Sequence, residues 1–178
     1  MDGTWLNDHQ DYDRELYQKE LTLMQERDVK FVIASGNQFE NLRTRFPKTA
    51  DDLYYVAENG ALVVKGRQVL HVESLSDQEV QKMFKIASSY SYPVVVAGLA
   101  SAYIREQDDT KYYNEMKKYF EKLTVVKSLS EIKDKIFKIS LTVPVDVMPE
   151  LLAKLVKNIL NLRLFLELQI QLICNKKA

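Results

Sequence analysis

Asp2, Gly3 and Thr4 follow Met1 directly, in the order Asp-Gly-Thr. With another aspartate two positions before Asp2, this order would be Asp-x-Asp-Gly-Thr, a pattern for phosphate transfer. Hydrolysis of a phosphate ester through a covalent intermediate needs a nucleophile and a group that protonates the leaving oxygen and later activates water. Two carboxylates at a strand end can supply both, and Asp2 would be the acid/base. A plain turn, in which Asp2 and Thr4 bond local amides, is the alternative.

Ser35 and Gly36 form the second candidate site. They follow the short apolar run Phe-Val-Ile-Ala and precede a new helical pattern. Open α/β sheets bind ligands at the carboxyl ends of their strands. The Ser35 hydroxyl, with the Gly36 amide at a helix start, is therefore suited to hold a phosphate. The alternative is that Ser35 only caps the following helix.

The first part of the chain predicts helices and strands in alternation, followed by hairpins. Apolar residues at helical spacing predict a helix over 12–28, with Tyr17, Leu21 and Met24 on its apolar face, and a helix that ends before Pro47. Asn59-Gly60 and Gly66 separate short β-rich runs. The predicted strands are 31–34, 54–57, 62–65 and 68–72.

The second part predicts an α+β arrangement, which begins at about residue 61. Ser76 with Glu79, and Ser128 with Glu131, are spaced as capping boxes. Alternation from Phe137 predicts a half-buried strand, and an alternating run over 162–172 predicts a long final strand. Further predictions are strands at 93–97 and 101–104, a helix over 109–122, and an N-cap at Asp146 with Pro149 in the first turn.

Composition excludes several classes of protein. Lys and Arg together number 25, as do Asp and Glu, and no basic stripe is present, so we expect no nucleic-acid partner. Cys174 is the only cysteine, which excludes an internal disulfide and fits a reducing, cytoplasmic location. Charged and amide side chains interrupt the apolar run near the end, so we expect no membrane span. No secretory leader is evident, and export is not predicted.

Three segments in this order carry a resemblance to a known family: "MDGTWLN", "ERDVKFVIASGN" and "YYVAENGALV". Together they resemble the haloacid dehalogenase-like (HAD) hydrolases, specifically the Cof-type phosphatases with an α/β cap. The resemblance covers residues 1 to about 75, and a cap-like pattern continues to about 160. It implies an α/β fold made of a partial Rossmann-like core over 1–60, an α+β cap domain over 61–172, and a return towards the core over 173–178.

The resemblance also implies a function and roles for residues. The implied function is a Mg²⁺-dependent phosphatase that acts on small phosphorylated metabolites, such as sugar phosphates, through an aspartyl-phosphate intermediate. Asp2 matches the acid/base, whose backbone carbonyl also ligates magnesium. Ser35 and Gly36 match the phosphate-binding pair. Asn59 matches a substrate-binding asparagine, although a hairpin turn of the Asn-Gly type explains it equally well. Lys176 is the nearest match to a phosphate-binding lysine, and a solvated tail lysine is the alternative.

The departures from the family pattern lead to further expectations. Met1 stands between the positions of the two aspartates, so the nucleophile is absent from these residues, and Trp5 and Asn37 replace the usual leucine and arginine. We expect an internal fragment that is inactive by itself. The alternative is a non-catalytic binding module or a homodimer formed through exposed strand edges. Hydrolysis and phosphoryl transfer use the same aspartates, so the sequence leaves both reactions open.

Overall fold

The computed structural model describes residues 5–7, 9, 11–160 and 170–175. The chain divides into two compact units, Met1–Glu73 and Ser74–Ala178. Both units combine helices with a mixed sheet, so the predicted α/β class is confirmed. Within the described residues, no helix has the length and apolar character needed to cross a membrane.

The first unit contains a four-stranded sheet in the order β1-β2-β3-β4. Strands β1 and β2 are parallel, and the other pairs are antiparallel. The elements are α1 (Arg14–Glu26), β1 (Val32–Ala34), α2 (Phe39–Thr44), β2 (Tyr54–Ala57), β3 (Leu62–Lys65) and β4 (Gln68–Val72). Strands β3 and β4 lie beyond the boundary predicted at residue 60, yet they continue this sheet. The assignment of a core domain and a cap domain stays a prediction.

Helix α1 forms as its sequence predicts. The Asp13 carboxylate accepts hydrogen bonds from the amides of Glu15 and Leu16, which satisfies donors that a helix start leaves free. Tyr17 and Leu21 are buried, one turn apart. Tyr17 belongs to an aromatic cluster whose ring centroids lie 5.2–6.4 Å apart. Its members are Trp5, Tyr12, Tyr17, Phe31 and Phe46.

The second unit contains a five-stranded sheet in the order β7-β6-β5-β8-β9. Strand β5 is antiparallel to both of its neighbours, whereas β7 and β9 lie parallel to β6 and β8. The elements are α3 (Asp77–Ser88), β5 (Val94–Gly98), β6 (Ala102–Arg105), α4 (Thr110–Met116), β7 (Leu123–Val126), β8 (Ile136–Pro144), α5 (Met148–Leu160) and β9 (Ile170–Asn175). Helices α3 and α5 contribute Met83, Phe84, Leu151 and Leu155 to the core against β5 and β8.

Three helix starts were predicted in this unit, at Ser76, Ser128 and Asp146, and one of them is confirmed. The capping box at Ser76 and Glu79 is confirmed. At Ser128 there is only a single turn of 3-10 helix, in which the Ser128 hydroxyl accepts from the Ser130 amide. Because α5 begins at Met148, Asp146 is not its N-cap, although Pro149 does lie in the first turn.

Two predictions in the second unit are wrong. Helix α4 ends at Met116 rather than near residue 122, and β7 follows it, where no strand was predicted. The predicted final strand over 162–172 overlaps β9 at residues 170–172. Its other residues, 162–169, lie outside the described residues.

Strand β8 is buried on both faces rather than on one. Lys138, Ser140 and Thr142, which alternation assigned to solvent, are all enclosed. Tyr112 of α4 lies on this side, and the Thr142 hydroxyl donates a hydrogen bond to the Tyr112 oxygen. A neighbouring element therefore covers the polar face, which alternation along one strand cannot reveal.

Candidate functional site

The parallel pairing of β1 and β2 brings two loops to the same edge of the first sheet. Val32 pairs with Tyr54 and Ala34 with Val56, so the carboxyl ends of both strands lie side by side. Ser35 follows β1 and Glu58 follows β2. In open α/β sheets this is the edge at which ligands bind.

The first loop contains Ser35, Gly36 and Asn37, all partly exposed. The Ser35 amide donates to the carbonyl of Val56 at 2.9 Å, which ties the loop to β2. The Ser35 hydroxyl oxygen accepts from the Asn37 amide at 3.2 Å. Because this contact uses the hydroxyl only as an acceptor, its proton remains available for a hydrogen bond to a ligand.

The second loop contains Glu58, Asn59 and Gly60, whose φ angles are 50°, 58° and 100°. Two amides of this loop donate to carbonyls of the first: Glu58 to Asn37 at 3.2 Å and Asn59 to Ser35 at 3.3 Å. The Asn59 side chain lies so close to Gly36 that a Cβ atom there would overlap its amide. Glycine at position 36 therefore leaves room for the Asn59 side chain in its present position.

The structure brings Ser35, Gly36 and Asn59 together, and it corrects two interpretations of them. Ser35 is not a helix cap, because α2 begins at Phe39 and Gln38 occupies the N-cap position. For the same reason, the expectation that the Gly36 amide lies at a helix start is wrong. The hairpin interpretation of Asn59 is correct as geometry, since residues 58–61 connect the antiparallel strands β2 and β3.

The other predicted site residues, Asp2 and Lys176, lie outside the described residues, as do Gly3 and Thr4. The convergence of Asp2 with Ser35 stays a prediction. Among the described residues, no group of three or more His, Cys, Asp or Glu side chains could hold a metal ion.

Glu58 is a residue of the site for which the sequence left two roles open, a substrate contact or a plain hairpin turn. Its side chain is only 1% exposed. In the sequence, a glutamate before Asn-Gly looks like an ordinary turn residue. Residues of that kind are usually solvated, so the sequence predicts an exposed carboxylate. No local signal in the sequence indicates this burial.

Comparison with known proteins identifies the family. The family model for haloacid dehalogenase-like hydrolases matches residues 1–170. The chain belongs to this family. The HAD resemblance inferred from three short motifs is therefore confirmed.

Two relatives resemble the chain in sequence. It is 30% identical, over 151 residues, to 5-amino-6-(5-phospho-D-ribitylamino)uracil phosphatase YbjI of Escherichia coli K12; the match covers 84% of the chain and 56% of that protein. It is 26% identical to the crystal structure of SMU.1108c from Streptococcus mutans UA159, with a TM-score of 0.77 over 88% of the chain and 59% of the other. The chain therefore spans little more than half the length of these relatives.

A third match extends the likeness in fold. The HAD subclass IIB sugar phosphatase BT4131 superposes with a TM-score of 0.64 at 17% identity, over 86% of the chain and 60% of that protein. At this identity the match concerns the fold alone.

Proposed function

We propose that the protein is a phosphatase that acts on small phosphorylated metabolites of the sugar-phosphate type. Membership of the HAD hydrolase family supports this function. So does the sequence likeness to a phosphatase whose substrate carries a phosphoribityl group. The observation that carries the proposal is the joining of the Ser35 and Asn59 loops at the carboxyl edge of β1 and β2.

In this proposal, the Ser35 hydroxyl donates a hydrogen bond to a phosphate oxygen. Its oxygen is already oriented by the Asn37 amide, and its loop is tied to β2 through the Val56 carbonyl. A donor held in place before the ligand arrives loses less conformational freedom on binding. We assign contact with the rest of the substrate to the side chain of Asn59, an exposed residue whose side chain lies against Gly36.

The remaining parts of the proposal concern Asp2. We assign to it the acid/base role, in which it protonates the leaving oxygen. The aspartyl-phosphate of the proposed reaction would form on the nucleophilic aspartate, which in the family pattern stands two positions before Asp2. The backbone carbonyl of Asp2 is the assigned ligand for Mg²⁺, and a bound Mg²⁺ would neutralise charge on the phosphate oxygens.

Phosphate binding by Ser35 variants tests the proposal. Loss of one hydrogen bond to a charged ligand corresponds to about 1.5–3 kcal/mol, so Ser35→Ala should weaken the binding of inorganic phosphate by roughly 10- to 100-fold. Ser35→Thr retains the hydroxyl and should bind more tightly than the alanine variant. Thr44→Ala is a matched control, because it removes a hydroxyl at the other end of α2 that only donates to the Asn41 carbonyl.

Isothermal titration calorimetry gives the affinities, and release of phosphate from sugar phosphates in the presence of Mg²⁺ gives the activity. Equal affinities for the wild type and Ser35→Ala would contradict the role of Ser35. A protein that neither binds phosphate nor releases it from any sugar phosphate would contradict the proposed function.

A further inference from the structure

Glu58 combines two unfavourable features at the candidate site. Its φ angle of 50° lies in the left-handed region, which residues other than glycine, asparagine and aspartate seldom adopt. Its side chain is 1% exposed, and both carboxylate oxygens are shielded from solvent. Glutamate is among the residues least often fully buried, because its charge is strongly hydrated.

A strained, buried residue beside a ligand site indicates a functional constraint. Glycine at position 58 would remove the backbone strain, and a smaller apolar side chain would remove the cost of burying a carboxylate. Neither replacement would keep an acidic group at this position. The geometry thus directs attention to the carboxylate itself.

The backbone of Glu58 and Asn59 is hydrogen-bonded to the Ser35–Asn37 loop. The Glu58 amide donates to the carbonyl of Asn37, and the Asn59 amide donates to the carbonyl of Ser35. Both donor residues have left-handed φ angles, 50° at Glu58 and 58° at Asn59. A change in the backbone of residue 58 would therefore alter the bonds that join it to the loop that carries the Ser35 hydroxyl.

We propose that the Glu58 carboxylate is a positioning residue, which holds the Ser35–Asn37 loop in its phosphate-accepting conformation. This proposal rests on the proposed function, because it assumes that the loop binds phosphate.

A positioning role for Glu58 makes a prediction opposite to that of simple electrostatics. A carboxylate near an anion repels it, so its field alone predicts that neutralisation tightens phosphate binding. A positioning role predicts that neutralisation weakens binding.

Glu58→Gln separates the two predictions, because it removes the charge and keeps the shape. We expect the glutamine variant to bind inorganic phosphate at least about 10-fold more weakly in calorimetry, in line with the loss of one oriented hydrogen bond. Glu58→Asp retains a carboxylate and tolerates a left-handed φ, so its affinity should lie between the two. Equal or tighter binding by the glutamine variant would overturn the proposal.

Asp51→Asn is the matched control. Asp51 is an exposed carboxylate of the same unit that precedes β2, whereas Glu58 follows that strand. Its neutralisation should leave the phosphate affinity within about twofold, since interactions between exposed charges are strongly screened by salt. A loss as large as that of Glu58→Gln would show that any lost carboxylate in this unit has the same effect, and would overturn the proposal.

Amide hydrogen exchange gives a readout that does not depend on phosphate. In Glu58→Gln, the amides of Glu58 and Asn59 should exchange at least about 10-fold faster, while the amide of Val63 in β3 should not change. If exchange at these amides is unchanged, the positioning role is wrong. If exchange rises but the wild type binds no phosphate, the proposed function fails and the structural role of Glu58 stands.

Discussion

Replacement of Arg43 by methionine tests what holds α2 against residues 50–51 and the turn at Gly66. Arg43 lies on α2, and its guanidinium donates to the carbonyl of Gly66 at 2.8 Å and to that of Ala50 at 3.3 Å. It also pairs with the Asp51 carboxylate at 2.8 Å. The Arg43 side chain is 9% exposed and that of Asp51 is 74% exposed.

These exposures decide which contact matters most. An ion pair with so exposed a partner contributes at most about 1 kcal/mol. The Ala50 carbonyl also accepts from the Tyr55 hydroxyl, so it keeps a partner when Arg43 is removed. The buried Gly66 carbonyl loses a bond to a charged donor, which corresponds to about 1.5–3 kcal/mol. We therefore expect Arg43→Met to lower the free energy of unfolding by about 2–4 kcal/mol.

Urea denaturation followed by the fluorescence of Trp5 measures this change. Trp5 is the only tryptophan of the chain, and its ring packs against those of Tyr12 and Phe31 in the same unit as Arg43. Asp51→Asn is the control and should lower the free energy of unfolding by less than about 1 kcal/mol. If Asp51→Asn destabilises as much as Arg43→Met, the ion pair rather than the carbonyl contacts holds α2 in place, and the reasoning is refuted.

Two further predictions concern the capping box and the buried tyrosines. Ser76→Ala should lower the free energy of unfolding by about 1 kcal/mol, because the Glu79 amide loses its acceptor; thermal melting followed by circular dichroism checks this, and an unchanged melting temperature would contradict it. Burial raises the pKa of Tyr55, Tyr103 and Tyr112 from 10.0 to about 12. Since the unfolded chain releases these protons first, stability should be retained below pH 10 and lost as the pH rises from 10 to 12. Tyr112→Phe should make this loss, followed by urea denaturation across that range, less steep; an identical slope would contradict the assignment.

The candidate site could be predicted only in part from sequence. The Ser35 loop was located because a short apolar run ends there, and strand β1 indeed ends at Ala34. The burial of Glu58 could not be predicted, because a turn sequence does not reveal whether a side chain meets water or protein. The helix start at Gly36 was placed too early, since Gly36 and Asn37 instead form hydrogen bonds and contacts with the adjoining loop.

The amino-acid sequence by itself determined the local features of this protein. Alternation, helical spacing, the Ser76 capping box and the turn at Gly66 depend on residues close along the chain, and three ordered motifs were enough to identify the HAD family. Tertiary structure decided the burial of Lys138, the carbonyl contacts of Arg43 and the enclosure of Glu58. These depend on groups far apart in sequence, and whether a polar side chain meets water or protein is set only when those groups pack together.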